Sequence, residues 1–398
     1  MNMSEIIGRN INSLMAENSD TLVDLAKMIG VTRQTFANYL NGESIIDSEK
    51  LSILSRYFKK PLEYFLEEEH NKMCFMFRAS NPKENVDNAF KTQIENDMND
   101  YFELINLSGE QLVYIPEQYN LTIKYNSKNI SVDDPELDFS LFKYKLPKEL
   151  DQIIERIAYE QRKKMGAEEE VGANLVKCLD EAGIRIIMKA VDNENIFGIS
   201  AFHPEKGCFI FINNSENITE ERKLFTIAHE YGHLILHRQY YQELRDNVFY
   251  GNKKTIQEAM ADAFAGYFLL PRHLIRRYEK YFNSTFSISD LIYIKKEFQV
   301  SLMSLVMALN KYGYINDDVK NKIFLMLTSK GFVKTEPDPC ENLKLKMYEK
   351  YLFLIKSLYL RDKISINKVA ELLNISVAAA KQEAGSWMNY ENEISITI

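Results

Sequence analysis

Apolar positions recur at helical spacing through the first 66 residues of the chain. Leu22, Leu25, Ala26 and Ile29 form one stripe. Gly30 interrupts it, and Thr32 offers a hydroxyl cap to a second helix that runs to Leu40. Asn41-Gly42 closes that helix with residues that tolerate left-handed backbone. Asp47 caps a further helix whose stripe is Leu51, Leu54, Phe58, Leu62 and Phe65. The acidic run Glu67-Glu68-Glu69 then marks a solvated boundary.

Residues 67–145 read as a linking, mixed region with no assignable chemistry. A polar helix is expected from Glu84 to Leu107, and the tyrosine-rich stretches QLVYI and YNLTIKY predict one or two strands. The pattern changes again near Pro147. Helices are predicted from Glu149 to Met165 and up to Gly183, followed by three runs rich in β-branched and aromatic residues. These are IRIIM (184–188), FGISAF (197–202) and CFIFIN (208–213), the pattern of a small antiparallel sheet. Two further helices, 219–237 and 255–270, complete a unit over 146–315. The remaining 316–398 is predicted to be helical, with Pro337-Asp338-Pro339 as a linker. The fold class expected is mainly α with a small antiparallel β-sheet, α+β.

Composition narrows the partners. The chain of 398 residues is 45% apolar and 27% charged, ordinary for a globular protein. A net charge of −8 argues against coating nucleic acid or anionic membrane along its whole length, though a local basic face is compatible with it. Cys74, Cys178, Cys208 and Cys340 are scattered and form no Cys-x-x-Cys pair, so neither a disulfide framework nor a thiolate zinc knuckle is expected. No stretch of about 18 apolar residues occurs and MNMSEIIGRN lacks an apolar leader core, so a cytoplasmic protein with no membrane partner is expected.

The chemistry lies in the last two helices of 146–315. His229 and His233, four apart, project from one helix face and can take two corners of a tetrahedral zinc. Glu230 between them is placed as general base toward the zinc water, passing the proton on to a departing amine. Apolar neighbours on both sides make this helix a core element, and Gly232 allows close packing beneath the metal. The third ligand is assigned to Glu258 in QEAMADAFA. Asp262, one turn on, would accept the remaining N–H of a ligand histidine and fix its tautomer. Two His, one Glu and a water would leave an open, catalytic position. His237 reads as a rim or capping histidine, and His203 and His273, near prolines, as solvated. Tyr240 or Tyr241 could stabilise an oxyanion, but nothing singles out either.

FTIAHEYGHLILH followed by EAMADAFAGYFLLP resembles the ImmA/IrrE group of bacterial and phage metallopeptidases within the broader gluzincins. The resemblance covers about 150–315, including the Gly183 turn and the strand ending in Ile212-Asn213. It implies zinc-dependent cleavage of a repressor-like protein, with zinc on His229, His233 and Glu258 and the base at Glu230. Where many members carry Asn this chain has Asp262, which leaves the support of a histidine intact.

TLVDLAKMIG-VTRQTFANYLNG has the spacing of a helix-turn-helix and resembles XRE-type phage-repressor domains over 5–66. Thr32, Arg33, Gln34, Thr35 and Asn38 fall on the outward side of the second helix, where Arg can read guanine and Gln or Asn adenine. Phe36, Ala37 and Leu40 face the core. Residues 1–66 hold seven Lys/Arg against eight Asp/Glu, so a homodimer on two-part operator DNA is expected rather than one tightly held copy. INKVAELLNISVAAAKQEAGSW again predicts two helices about Asn374-Ile375-Ser376. Its second helix has little to read bases and is taken as a packing or dimerisation unit.

Three functions fit these readings. The first is a transcriptional regulator whose zinc endopeptidase cleaves a repressor-like protein or its own chain. The second is a DNA-binding sensor with a non-catalytic metal site. The third is a protease whose helix-turn-helix docks onto a repressor rather than DNA.

Overall fold

The computed structural model describes residues 2–18, 20–58, 60, 62–66, 74–79, 88–110, 115–125, 128–132, 137, 139–191, 196–238, 255–282, 287–332, 335–343, 345 and 349–393. They fall into two compact units, one of residues 1–73, 86–96 and 203–205, the other of 74–85, 97–202 and 206–398.

The first unit holds α1 (Met3–Asn18), α2 (Leu22–Met28), α3 (Arg33–Leu40), α4 (Ser48–Phe58) and α5 (Leu62–Leu66). Ile11, Leu25, Phe36, Leu54 and Phe65 are fully enclosed in its core, each burial stabilising by about 1.5–3 kcal/mol. Thr21, Thr32 and Asp47 cap α2, α3 and α4 by accepting from backbone N–H groups three residues on. Gly30 turns the chain between α2 and α3 at φ +71°. At Gly8 a Cβ would stand 2.4 Å from the Leu40 carbonyl oxygen, so only glycine lets α1 cross the end of α3. Two residues depart from the expected stripes. Leu62 is exposed, and Ala37 is only half-buried because α3 tilts Phe36 and Leu40 inward instead.

In the second unit β1 (Cys74–Ala79), β4 (Arg185–Lys189), β5 (Ile196–His203) and β6 (Gly207–Asn213) form one sheet in the order β1-β5-β6-β4. The short β2 (Thr122–Tyr125) and β3 (Lys128–Ser131) pair antiparallel beside it in sequence, a strand where YNLTIKY predicts one. QLVYI falls outside the described residues except for Ile115. The α+β class holds, but the main sheet is mixed, not purely antiparallel. β4 runs parallel to β6 in register Ile186↔Ile210. Strand directions alternate along the chain as in a meander, yet β4 passes its sequence neighbour β5 and joins the far edge of β6. Local patterning carries no information on that order. β4 and β6 are accordingly buried over nearly their whole length.

Helices supply the rest: α6 (Asn88–Ser108), α7 (Lys148–Lys164), α8 (Ala173–Glu181), α9 (Glu220–Leu236), α10 (Ile256–Leu269), α11 (Arg272–Ile275), α12 (Ile288–Phe298), α13 (Leu302–Lys311), α14 (Asp317–Ser329), α15 (Glu349–Leu360), α16 (Ile366–Leu373) and α17 (Val377–Glu393). α7 buries Leu150, Ile154, Ile157, Ala158 and Gln161 on one face, with acids in its first turn and bases in its last. α9 and α10 are buried almost all round and share one core with β4, β6 and α7. Among the described residues no helix is long and apolar enough to cross a membrane.

The Pro337-Asp338-Pro339 stretch is non-helical as expected, but it is fastened down rather than a free linker. Glu336 accepts from Leu302 N–H at 2.6 Å and pairs with Lys295 at 3.1 Å. Glu221 of α9 accepts from Cys340 N–H at 2.8 Å and lies 3.3 Å from Lys295, and Glu220 accepts from Leu345 N–H at 3.2 Å.

Candidate metal centre

Thr219 caps α9 and Thr255 caps α10, each hydroxyl accepting from the N–H three residues later. In α10 that N–H belongs to Glu258, so capping fixes the turn that carries the carboxylate. Two contacts bring the helices together. Gly232 faces Phe264, where an added Cβ would stand 3.1 Å from the ring. Tyr231 meets Phe264 and Phe268 edge-on and donates its hydroxyl to Gln161 of α7 at 2.9 Å.

This packing gathers His229, His233 and Glu258, with one possible ligand atom from each within 4.8 Å of the others. Nε2 of His229 is 3.0 Å from Nε2 of His233, and the Glu258 carboxylate lies 3.4 and 3.2 Å from these two nitrogens. Nδ1 of His229 is 2.9 Å from Oδ1 of Asp262. A carboxylate only accepts, so that nitrogen carries the proton and Nε2 presents a lone pair. Nδ1 of His233 is likewise 2.9 Å from Nδ1 of His237. When His233 is the donor there, two lone pairs and an anionic carboxylate face one another with nothing positive between them. That donor set fits a divalent cation, and zinc accepts this mixture of nitrogen and oxygen.

Glu230 is wholly buried. Its Oε2 accepts from the Ser200 hydroxyl of β5 at 2.5 Å, while Oε1 has no hydrogen-bond partner among the described residues. Gly198, two residues before Ser200, lets the strand approach, since a Cβ there would stand 2.5 Å from Thr226 and 3.1 Å from Glu230. Ser200 has only a faint signal in the sequence, a lone hydroxyl inside the apolar run FGISAF.

The other histidines differ from expectation. His237 ends α9 as its C-cap but is fully buried rather than at a rim, and burial followed by the nearby His233 holds its pKa well below the ordinary value. His203 is buried at the end of β5, where its Nδ1 accepts from Glu205 N–H at 3.0 Å. His273 lies in α11, half-buried, with Nε2 3.0 Å from the Glu168 carbonyl. For His203 and His273 a backbone polar group supplies what solvent was expected to supply. Tyr240 and Tyr241 lie outside the described residues.

On the first unit, Thr32, Arg33 and Gln34 are exposed at the start of α3, and Thr35 and Asn38 are half-exposed. Gln34 donates to the Asn38 amide oxygen at 3.0 Å, which lines the two amides up along one face.

A comparison with curated proteins found no match. Residues 12–65 match the helix-turn-helix family, and residues 179–310 match a peptidase family described as the IrrE N-terminal-like domain. The chain therefore joins an XRE-type helix-turn-helix to a protease-type domain of the ImmA/IrrE kind.

Proposed function

We propose that the protein is a DNA-binding transcriptional regulator carrying a zinc-dependent endopeptidase that cleaves a repressor-like protein. The observation that carries the reading is the convergence of His229, His233 and Glu258 beside a buried carboxylate, Glu230, with one oxygen unengaged. His229, His233 and Glu258 would hold the metal. When bound, zinc supplies Lewis acidity, lowering the pKa of water and polarising a peptide carbonyl. Glu230 Oε1 takes the proton of the attacking water and returns it to the departing amine. Ser200 holds Oε2, so the free oxygen keeps one direction. Asp262 and His237 keep the Nδ1 protons in place, which leaves both Nε2 atoms as ligands.

In the same reading Thr32, Arg33, Gln34, Thr35 and Asn38 meet an operator, with Arg33 and Gln34 reading bases. A homodimer on a two-part site compensates for the near-neutral first 66 residues, and the protein works in the cytoplasm. That same weak charge favours the third reading, in which the first unit docks onto a repressor.

Metal content measured beside a cleavage assay on repressors encoded near the gene tests the proposal. Glu230→Gln is expected to keep zinc and lose cleavage. Unchanged cleavage by that variant removes the general base. Normal DNA binding by Arg33→Ala with slowed cleavage favours docking.

A further inference from the structure

The stretch from Arg361 to Met388 repeats the helix-turn-helix of the first unit bond for bond. Ser365 caps α16 by accepting from Lys368 N–H at 3.2 Å, as Thr21 caps α2 by accepting from Asp24 N–H at 3.3 Å. Ile375 N–H donates to the Ala370 carbonyl at 3.0 Å, as Val31 N–H donates to Ala26 at 2.9 Å. A left-handed residue makes both turns, Asn374 at φ +52° and Gly30 at φ +71°. Ser376 and Thr32 then cap the second helices, each accepting an N–H at 3.1 Å. Ala380 and Ala384 are buried where α3 buries Phe36 and Leu40.

A unit kept only for packing within the chain would bury the leading residues of its second helix. Here Val377, Ala378, Ala379, Lys381 and Gln382 are exposed. The contacts with the rest of the second unit lie elsewhere. Tyr351 of α15 meets Tyr101 edge-on at 5.3 Å, and Lys368 of α16 pairs with Asp100 at 3.1 Å and Glu103 at 3.3 Å. α15 and α16 are held, and the leading face of α17 is left to solvent.

We propose that this second helix-turn-helix reads duplex DNA in its own right, with a preference for A·T-rich sequence. Small side chains at Ala378 and Ala379 let the helix backbone approach the floor of the major groove. Val377 and the alanines offer apolar contact to thymine methyl groups, and Gln382, in the place Asn38 holds on α3, can take the N6/N7 edge of adenine. Arg361, Lys363 and Lys381 are exposed to meet phosphates. Between Arg361 and Met388 four Lys/Arg face three Asp/Glu, and Lys368 is already engaged by acids. The inference is independent of the peptidase reading and of any base contact by Arg33.

The test uses the full chain carrying Arg33→Ala and Gln34→Ala, titrated by fluorescence anisotropy against short A·T-rich and G·C-rich duplexes. Residual binding that favours the A·T-rich duplex is expected. Adding Lys381→Ala should lower the slope of log affinity against log salt by about 1. Adding Gln382→Ala should reduce the A·T preference by about fivefold or more. Binding to neither duplex, or binding indifferent to both added substitutions, overturns the proposal. So does Val377→Asp if it changes the oligomeric state in sedimentation and leaves DNA affinity untouched, because the face then joins two copies of the chain.

Discussion

Oε2 of Glu230 lies 2.5 Å from the Ser200 hydroxyl, and both residues are wholly buried. Removing the hydroxyl leaves an enclosed carboxylate with one fewer donor. Ser200→Ala is expected to lower stability by about 1–3 kcal/mol, measured by urea denaturation of metal-free protein. The loss should shrink in a Glu230→Gln background, where no charge needs the donor. An equal loss in both backgrounds would show that Ser200 stabilises through other contacts.

Zinc should stabilise the fold through the three convergent groups. At a free concentration one hundred times the dissociation constant, a site present only in the folded state gains about 2.7 kcal/mol. A zinc-dependent rise in Tm is expected for the native chain and should vanish in His233→Ala and Glu258→Ala. Differential scanning calorimetry with and without chelator checks it without reference to any substrate. A rise that survives Glu258→Ala would remove that residue from the ligand set.

Two carboxylates share one ammonium at Lys295. Burial first, and Glu221 after it, raise the Glu336 carboxyl above its ordinary 4.5, against the Leu302 N–H and Lys295 that lower it. A folded pKa above the unfolded one means that the group's contribution is fully present below about pH 4.5 and is lost as pH rises through the folded value. Glu336→Gln should therefore melt higher relative to the native chain at pH 7 than at pH 4. Thermal unfolding across that range checks the sign. The reverse trend would mean that the ion pair outweighs the burial.

Gly8 permits α1 to cross the end of α3, and a methyl there meets backbone rather than a yielding side chain. Gly8→Ala should cost about 1–3 kcal/mol in the first unit and weaken DNA binding. Metal content should stay unchanged, since Gly8 and the metal-site residues belong to different compact units and share no partner. Denaturation followed alongside elemental analysis separates the two effects.

The residues at the metal centre could be picked out because their spacing is local. His229 and His233 need only a helix to share a face, and EAMADAFA pairs small residues with acids one turn apart. Ser200 and His237 were illegible as partners because what they touch depends on strand and ring placement. The sheet order is not legible in the sequence for a related reason. IRIIM, FGISAF and CFIFIN each announce a strand, but nothing in them says that β4 would pass β5 to reach β6. The anchoring of the segment around Pro337 likewise arises from contacts with residues far along the chain.

The fastening of Cys340 and Leu345 to the first turn of α9 bears on how the molecule opens. Their amides exchange with deuterium when the carboxylates of Glu221 and Glu220 let go, and the Glu221 oxygen that holds Cys340 also holds Lys295 of α12. The segment leading to α15 and the entry to the helix bearing His229 thus belong to one cooperative opening unit. Thermal fraying cannot start at that seam without loosening the metal helix at its root.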